Sequence, residues 1–396
     1  MAGEATMEEA TISEEMIVEM RKKVGAQLRI DHSVFNEEAT RLAILKFAGG
    51  IGDANPLWCE PAYGERTCYG CQVAPPSFVI GCFSGLQFGW PGLGSFHSES
   101  DLEFRVPVLR DDVIRASCLY EGFDGPKPSN FAPRFVIDRF LNRYENQRGE
   151  LVATIRWAVI NFERGAAKQR GSATSGSSLP HRWSAEEAAA VDAEVLAQAP
   201  RGAVSRWFED VREGDELAPL TKGPVGLTDE IAFVAGGGAP IPRLMAHRSA
   251  LLAYEKHRAW AFRDPTTMAL EPIYSVNYNR SAANAMAVPE AYDVGFQRQC
   301  WHLQLLTNWM GDDGWIRRAS AQYRKFVYHA DVVRLGGKVL RKFVSEDGEA
   351  CVELATWARN QRGEDVMPGN ATLALPSRER GGASPAARRV RTRAEA

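Results

Sequence analysis

The chain repeats itself, and this repeat limits the folds open to it more than any other feature. Five residues of the first half recur in the second half at one constant offset: Trp90, Gly92, Val108, Asp112 and Val113 match Trp309, Gly311, Val327, Asp331 and Val332. The pentapeptide Asn-Gln-Arg-Gly-Glu at 146–150 also returns at 360–364. A chain of 396 residues built from one duplicated unit is expected to fold as two similar domains related by a pseudo-twofold axis.

The two copies differ in one loop that could carry chemistry. The first copy has Gly-Asp-Ala-Asn-Pro at 52–56, whereas the second has Gly-Gly-Gly-Ala-Pro at 236–240, with no carboxylate. An acid retained in only one copy predicts a pseudo-dimer with a single working site.

Charge and composition exclude several classes of function. A net charge of −3 argues against a nucleic-acid partner, and no run of about eighteen apolar residues is present to cross a membrane. The acidic start of the chain lacks the apolar core of a secretion signal. Seven irregularly spaced cysteines indicate reduced thiols, so a cytoplasmic protein is expected. No metal or redox cofactor is implied.

Composition and patterning predict five segments. These are an acidic N-terminal extension at 1–25, a first domain at 26–164, a linker at 165–204, a second domain at 205–378 and a disordered basic tail at 379–396. Alternating apolar and polar residues predict a strand over 151–162. Ser184, with Glu187 three residues later, predicts the start of a helix in the linker.

Each unit contains one strongly apolar helix followed by several strands. The first helix is predicted from Ser77 to Trp90 and the second from about Gly295 to Trp309. Apolar residues on nearly every face indicate helices that are buried on all sides. A sheet wrapped around one buried helix is the hot-dog fold. The prediction is therefore an α+β double hot-dog, with two antiparallel sheets joined edge to edge.

One stretch resembles a known family. The residues at 47–63, which contain the Gly-Asp-x-Asn-Pro motif, together with Tyr69-Gly70 and Ala74–Pro76, resemble the MaoC-like acyl dehydratases, also called type-2 enoyl-CoA hydratases. The second half is similar to the C-terminal half of double hot-dog members at Trp207–Asp215 and Asn308–Gly314. The resemblance extends over about 26–378.

The resemblance implies a lyase that reversibly adds water to the 2,3-double bond of an acyl thioester, most simply a 2-enoyl-CoA ester. In the family an Asp and a His of this loop move the protons, which places Asp53 as general acid/base and Asn55 beside the substrate. Main-chain amides at the start of the apolar helix hold the thioester oxygen, so Pro76, Ser77 and Phe78 are expected to bind substrate. Two chains pairing as a homodimer is left open.

The sequence departs from the family at position 58, where the family has histidine and this chain has Trp58. Indole does not exchange a proton near neutral pH, although Trp58 can still pack against substrate. Three readings follow. Asp53 acts alone, or another histidine replaces the missing one, for which His97 in the loop after the first apolar helix is the candidate. In the third reading, the chain binds acyl thioesters without hydrating them, as a partner subunit would. A thioesterase on the same scaffold is a separate alternative function.

Overall fold

The computed structural model describes residues 10–29, 35–83, 90, 92–129, 132–165, 179–238, 245–256 and 261–380. The helices are α1 Glu14–Lys22, α2 Arg41–Gly50, α3 Pro56–Cys59, α4 Pro61–Gly64, α5 Phe78–Cys82, α6 Ala185–Leu196, α7 Leu227–Ala235, α8 His247–Lys256, α9 Arg280–Ala285 and α10 Gly295–Met310. The strands are β1 Gly94–Phe104, β2 Ile114–Lys127, β3 Phe135–Asn146, β4 Leu151–Phe162, β5 Leu220–Lys222, β6 Ala261–Arg263, β7 Leu270–Pro272, β8 Trp315–Gln322, β9 Val333–Val344, β10 Ala350–Asn360 and β11 Gly369–Ala374.

Nine of these strands form one sheet in the order β2-β3-β4-β1-β8-β11-β10-β9-β5. The junction between the halves is the antiparallel pair β1–β8, whose register runs from Glu99 opposite Gln322 to Glu103 opposite Arg318. The two half-sheets are therefore joined edge to edge, each beside its own apolar helix. The predicted α+β double hot-dog is confirmed.

The repeated pentapeptide performs the same structural task in both halves. At the β3–β4 turn, Arg148 donates to both carboxylate oxygens of Asp112, at 2.7 and 3.3 Å, just before β2 begins. At the β10–β11 turn, Arg362 binds Asp331 in the same way, at 2.5 and 2.7 Å, just before β9. Because each carboxylate also accepts a main-chain N–H, at Leu109 and Tyr328 respectively, the repeat fixes each sheet corner rather than forming a site.

The two repeated tryptophans do not share a role. The indole N–H of Trp90 donates to Asp138 at 2.9 Å, whereas Trp309 ends α10 and lies under the guanidinium of Arg206, 4.3 Å from its ring centre. The duplicated scaffold has therefore been repacked locally in one or both halves.

The central helices also differ between the halves. Of the 16 residues of α10, only Gly295 and Asn308 are not fully buried, as predicted for a helix enclosed by its sheet. The predicted first helix over 77–90 is wrong at its C-terminal side, because α5 ends at Cys82 and Phe83 is extended with φ 178. There the Phe83 carbonyl accepts from Asn142 and Tyr144 of β3 instead of from a further helical turn. Residues 84–89 lie outside the described residues.

Helices α2 and α7 cross at reciprocal glycines. An ideal Cβ on Gly50 would lie 2.6 Å from the carbonyl oxygen of Ala232, and one on Gly236 would lie 2.7 Å from that of Lys46. No side chain fits at either place, so the helices meet backbone to backbone. This crossing brings the end of α2, and the loop that follows it, against the second half.

The crossing gives a stability prediction with a neighbouring control. Gly50→Ala should lower the free energy of unfolding by about 1–3 kcal/mol, because overpacking must separate the two helices. Gly49→Ala, on the open face of the same helix, meets nothing within 4 Å and should raise it by roughly 0.5–1 kcal/mol. Urea unfolding of both variants measures this, and equal effects would contradict the backbone contact.

Local predictions elsewhere agree with the structure where it describes them. Strand β4 spans Leu151–Phe162, and Ser184 and Glu187 form a capping box at the start of α6. The predicted extension, linker and tail include residues 1–9, 166–178 and 381–396, which lie outside the described residues, and the domain boundaries stay predictions. Over the described ranges, no helix has both the length and the apolar character that a membrane crossing needs.

Candidate active site

The Asp53 loop is formed by the end of α2 and the start of α3. Asn55 is the N-cap of α3, its side-chain oxygen accepting from the Leu57 amide at 3.0 Å, and Pro56 occupies the first helical turn, where a missing N–H costs nothing. The Asn55 amide in turn donates to Asp53 Oδ1 at 3.1 Å. The motif therefore folds into a rigid turn that orients the carboxyl of Asp53.

Asp53 is buried, with 4% of its surface exposed. Loss of hydration raises the pKa of its carboxyl to about 6, and the Asn55 amide, the Lys222 ammonium and the Trp58 indole each lower it by a smaller amount. A carboxyl that titrates near neutral pH can both take up and release a proton, which acid/base catalysis requires. The group predicted from the motif thus has the protonation behaviour that its predicted role needs.

Trp58 occupies the place of the family histidine, on α3. Its side chain is buried, and its indole N–H lies near enough to Asp53 to lower the pKa of that carboxyl, although it makes no close hydrogen bond among the described residues. The indole N–H therefore supports the charged carboxylate but cannot exchange a proton with it. Trp58 therefore provides a polar N–H group and a bulky ring beside Asp53, but no exchangeable proton.

An apolar pocket opens in front of this loop. Asn55, Trp58 and Pro76 line it together with apolar side chains of both halves, and its empty space is about 550 Å³ when the open mouth is included. Concave apolar pockets with a few polar groups are the usual places where small molecules bind. Asp53 itself does not line the pocket; it lies behind Asn55, to which it is hydrogen-bonded.

The start of α5 and the Asp53 loop are linked through a third residue, Cys300 of α10. Ser77 and Phe78 are buried, and the hydroxyl of Ser77 lowers the pKa of Cys300 on α10, a thiol whose pKa burial raises and which also senses the charge of Asp53. The amide of Phe78 donates to the Pro75 carbonyl at 2.8 Å. It would have to leave that turn before it could bind a thioester oxygen, which makes the Ser77 amide the simpler candidate donor.

The predicted placement of His97 in a loop is wrong. This residue lies in β1, and its ring packs 4.3 Å from the ring of Phe296 at the start of α10, in the second half. Its Nε2 is 3.0 Å from the Ser100 hydroxyl, and burial lowers its pKa to about 3. His97 shares no hydrogen-bond partner with Asp53 among the described residues and stays neutral at physiological pH.

Two charged residues of the second half, neither predicted, reach the first half here. Lys222 of β5 binds two carbonyls of the Asp53 loop. Asp312 lines the pocket and accepts from the Tyr63 hydroxyl at 2.6 Å, and burial raises the pKa of its carboxyl. The Gly-Asp-Asp-Gly pattern around Asp312 indicated a turn, and nothing local in the sequence marks Lys222.

Comparison with known proteins agrees with this description. A family model for the FAS1-like dehydratase domain region matches residues 26–155. A UPF0336 protein of Thermobifida fusca is 35% identical over 80 residues, 20% of this chain and 50% of that protein. A 3-hydroxybutyryl-CoA dehydratase of Methylorubrum extorquens is 28% identical over 82 residues, 20% of this chain and 52% of that protein. The chain thus spans about half the length of these curated relatives.

The fold is shared more widely than the sequence. A solved structure named MaoC-like dehydratase aligns with a TM-score of 0.62 at 14% identity, covering 90% of this chain and 99% of the other. That likeness extends through both halves, whereas the sequence family match is confined to the half that holds Asp53. Residues 26–155 are thus similar to the FAS1-like dehydratase domain region, and the chain as a whole shares its fold with a MaoC-like dehydratase.

Proposed function

We propose that this protein catalyses the reversible hydration of a 2-enoyl-CoA ester to a 3-hydroxyacyl-CoA ester, with Asp53 as general acid/base. The dehydratase family supports the reaction class. The single observation that supports Asp53 in this role is its buried carboxyl, which titrates near pH 6 directly behind an apolar pocket.

In the proposed reaction the carboxylate of Asp53 is the resting form. Water adds to C3 of the enoyl ester while Asp53 takes one proton from that water, and the electron pair of the double bond moves toward the thioester oxygen. The amide of Ser77 donates to this oxygen as enolate character develops. Asp53 then returns its proton to C2, which regenerates the carboxylate. Dehydration is the same sequence in reverse.

The chemistry of Trp58 favours the reading in which Asp53 acts without a histidine partner. Because its indole N–H lowers the pKa of Asp53 without exchanging a proton, it suits a mechanism in which one carboxyl does both proton transfers in turn. The burial of Asp53 behind Asn55 instead favours the second candidate function, an acyl-thioester-binding subunit without turnover. Substrate must reach the carboxyl for the first function and need not for the second.

Incubation with a short 2-enoyl-CoA separates these functions. Hydration removes the absorbance of the conjugated enoyl thioester without releasing thiol. A thioesterase would release coenzyme A, which a thiol reagent detects. Saturable binding of the ester without either signal would support the binding subunit and contradict the hydratase.

The pKa of Asp53 predicts the pH dependence. Because the reaction starts from the carboxylate, kcat/KM should fall about tenfold per pH unit below pH 6 and level off above it. A pH profile in the hydration direction between pH 4.5 and 8 measures this. An activity that rises as the pH falls through 6 would contradict the carboxylate as the resting form.

A further inference from the structure

Lys222 reaches across the pseudo-twofold axis to the Asp53 loop. It ends β5, at the far edge of the second half-sheet, and its ammonium donates to the carbonyl oxygens of Ile51 at 3.0 Å and Gly52 at 2.9 Å. Gln304 of α10 donates to the same Gly52 carbonyl at 3.1 Å. The carbonyls immediately before Asp53 are thus held by two side chains of the opposite half.

The backbone of the loop is shaped to admit this lysine. Gly52 has a left-handed conformation, with φ +64, and a Cβ there would lie 3.2 Å from the Lys222 ammonium nitrogen. A side chain at this position would therefore be strained and would crowd the ammonium. The glycine of the motif is needed both for the turn and for the approach of Lys222.

The corresponding position of the first half carries the opposite charge. Lys222 pairs with Val333, the first residue of β9, and Glu37 binds Ile114, the first residue of β2, through its main chain. The charge of Glu37 acts on Cys82 of α5, whereas that of Lys222 acts on the loop that has the acid. Burial raises the pKa of Cys82 and Cys300 on the two central helices, but Glu37 raises the first further whereas Lys222 lowers the second. The two halves thus differ in the charge at this position, just as they differ in whether their loop carries a carboxylate.

We propose that Lys222 is a positioning residue of the Asp53 site, contributed by the half that has no acid of its own. Its ammonium fixes the two carbonyls that precede Asp53 and adds a positive charge beside the buried carboxyl. This inference rests on the proposed function only for its effect on turnover. Its effect on the carboxyl itself is independent of substrate.

Few other charges act on this pair. Asp53 faces Lys222 from β5 and the Trp58 indole from α3, and Cys59 of α3 donates its thiol to the Asp53 carbonyl at 3.4 Å. The loss of hydration lowers the pKa of Lys222 to about 8, and Asp53, Asp229 of α7 and Cys300 of α10 raise it. Among the described residues, Lys222 is the only cation that shifts the pKa of Asp53.

Carboxyl titration by nuclear magnetic resonance, in the full chain, tests the inference directly. The Asp53 signal is identified as the one that Asp53→Asn removes. In Lys222→Gln, which loses the charge but keeps a donor for the carbonyls, the midpoint of Asp53 should rise by about 1 pH unit. In Lys222→Arg it should stay near the wild-type value. The pH below which kcat/KM falls should also rise by the same amount in Lys222→Gln, and it should not change in Lys222→Arg.

Lys342→Met provides a matched control. Lys342 also belongs to the second half and donates to a main-chain carbonyl, that of Val211, at 2.6 Å. Its removal should leave the Asp53 midpoint unchanged. Should Lys222→Gln not fold, the reciprocal measurement applies: Asp53→Asn should lower the titration midpoint of the Lys222 ammonium.

The outcomes separate the two proposals. A shifted Asp53 midpoint in a protein without hydratase activity would support the role of Lys222 and reject the proposed reaction. An Asp53 midpoint that does not move in Lys222→Gln, or a Lys222 midpoint that does not move in Asp53→Asn, would overturn the role of Lys222 whatever the activity.

Discussion

Asp53→Asn should reduce the rate of enoyl-CoA hydration by roughly 10²–10⁴-fold, because loss of a general acid/base typically has an effect of this size. Asparagine keeps the shape of the side chain and can still accept from the Asn55 amide. Because the pKa of Asp53 is higher in the folded chain than in the unfolded chain, its ionised carboxylate destabilises the fold above pH 6. This destabilisation disappears as the pH falls toward the pKa that the carboxyl has in the unfolded chain. The melting temperature at pH 8 should therefore be unchanged or higher. Single-turnover rates and thermal unfolding measure the two effects.

Asp138→Asn is the control for a raised pKa without the site. Asp138 is also buried, and burial raises its pKa to about 6, but it accepts from Tyr120, Trp90 and Asn161. Its replacement should lower stability by about 1–3 kcal/mol, because an amide cannot accept from all three donors, and should change the rate far less.

Full activity in Asp53→Asn would reject the proposed chemistry. A comparable rate loss in His97→Ala would instead identify His97 as a second catalytic group.

Arg298→Met should lower the free energy of unfolding by about 3–5 kcal/mol, the usual cost of leaving a buried charge without its partner. Arg298 of α10 donates twice to Asp293, at 2.7 and 2.8 Å, and also to the carbonyls of Lys325 and Val366. Burial raises the pKa of Asp293, and Arg298 opposes this. Without Arg298 the carboxyl will bind its proton more readily, so the variant should regain stability relative to wild type as the pH falls.

The exposed pair between Arg318 and Asp101 is the control. It crosses the β1–β8 seam with a comparable geometry, at 2.7 and 2.5 Å. Because water screens it, Arg318→Met should cost no more than about 1 kcal/mol. Urea unfolding of both variants measures the loss of unfolding free energy in each. Equal losses would show that burial does not make the Arg298 pair more stabilising than the exposed pair.

Sequence patterns predicted the features that depend on neighbouring residues. The strand Leu151–Phe162, the cap at Ser184 and the buried helix from Gly295 each follow from local spacing, and each is confirmed. The motif around Asp53 likewise encodes its own turn, because Asn55 and Pro56 cap the next helix wherever the loop lies.

Features set by tertiary contacts could not be predicted in this way. The first apolar helix ends early because Asn142 and Tyr144, far along the chain, bind the Phe83 carbonyl. His97 follows a glycine-rich stretch that is typical of a loop, yet β1 already begins at Gly94 because this end of the strand pairs with β4, where His97 lies opposite Val159. Lys222 meets the Asp53 loop through contacts between the two halves, which also include the crossing of α2 and α7 at glycines. No pattern within either segment carries that information.

The continuous sheet through β1 and β8 also affects how the sequence of this protein can evolve. In a homodimer of single hot-dog chains, one substitution alters both symmetry-related loops at once, so neither can be lost without the other. Here the loops at 52–56 and 236–240 are encoded separately while the seam keeps their halves together. Each loop is therefore free to mutate on its own, and a residue such as Lys222 can specialise in serving its neighbour without a matching change in its counterpart.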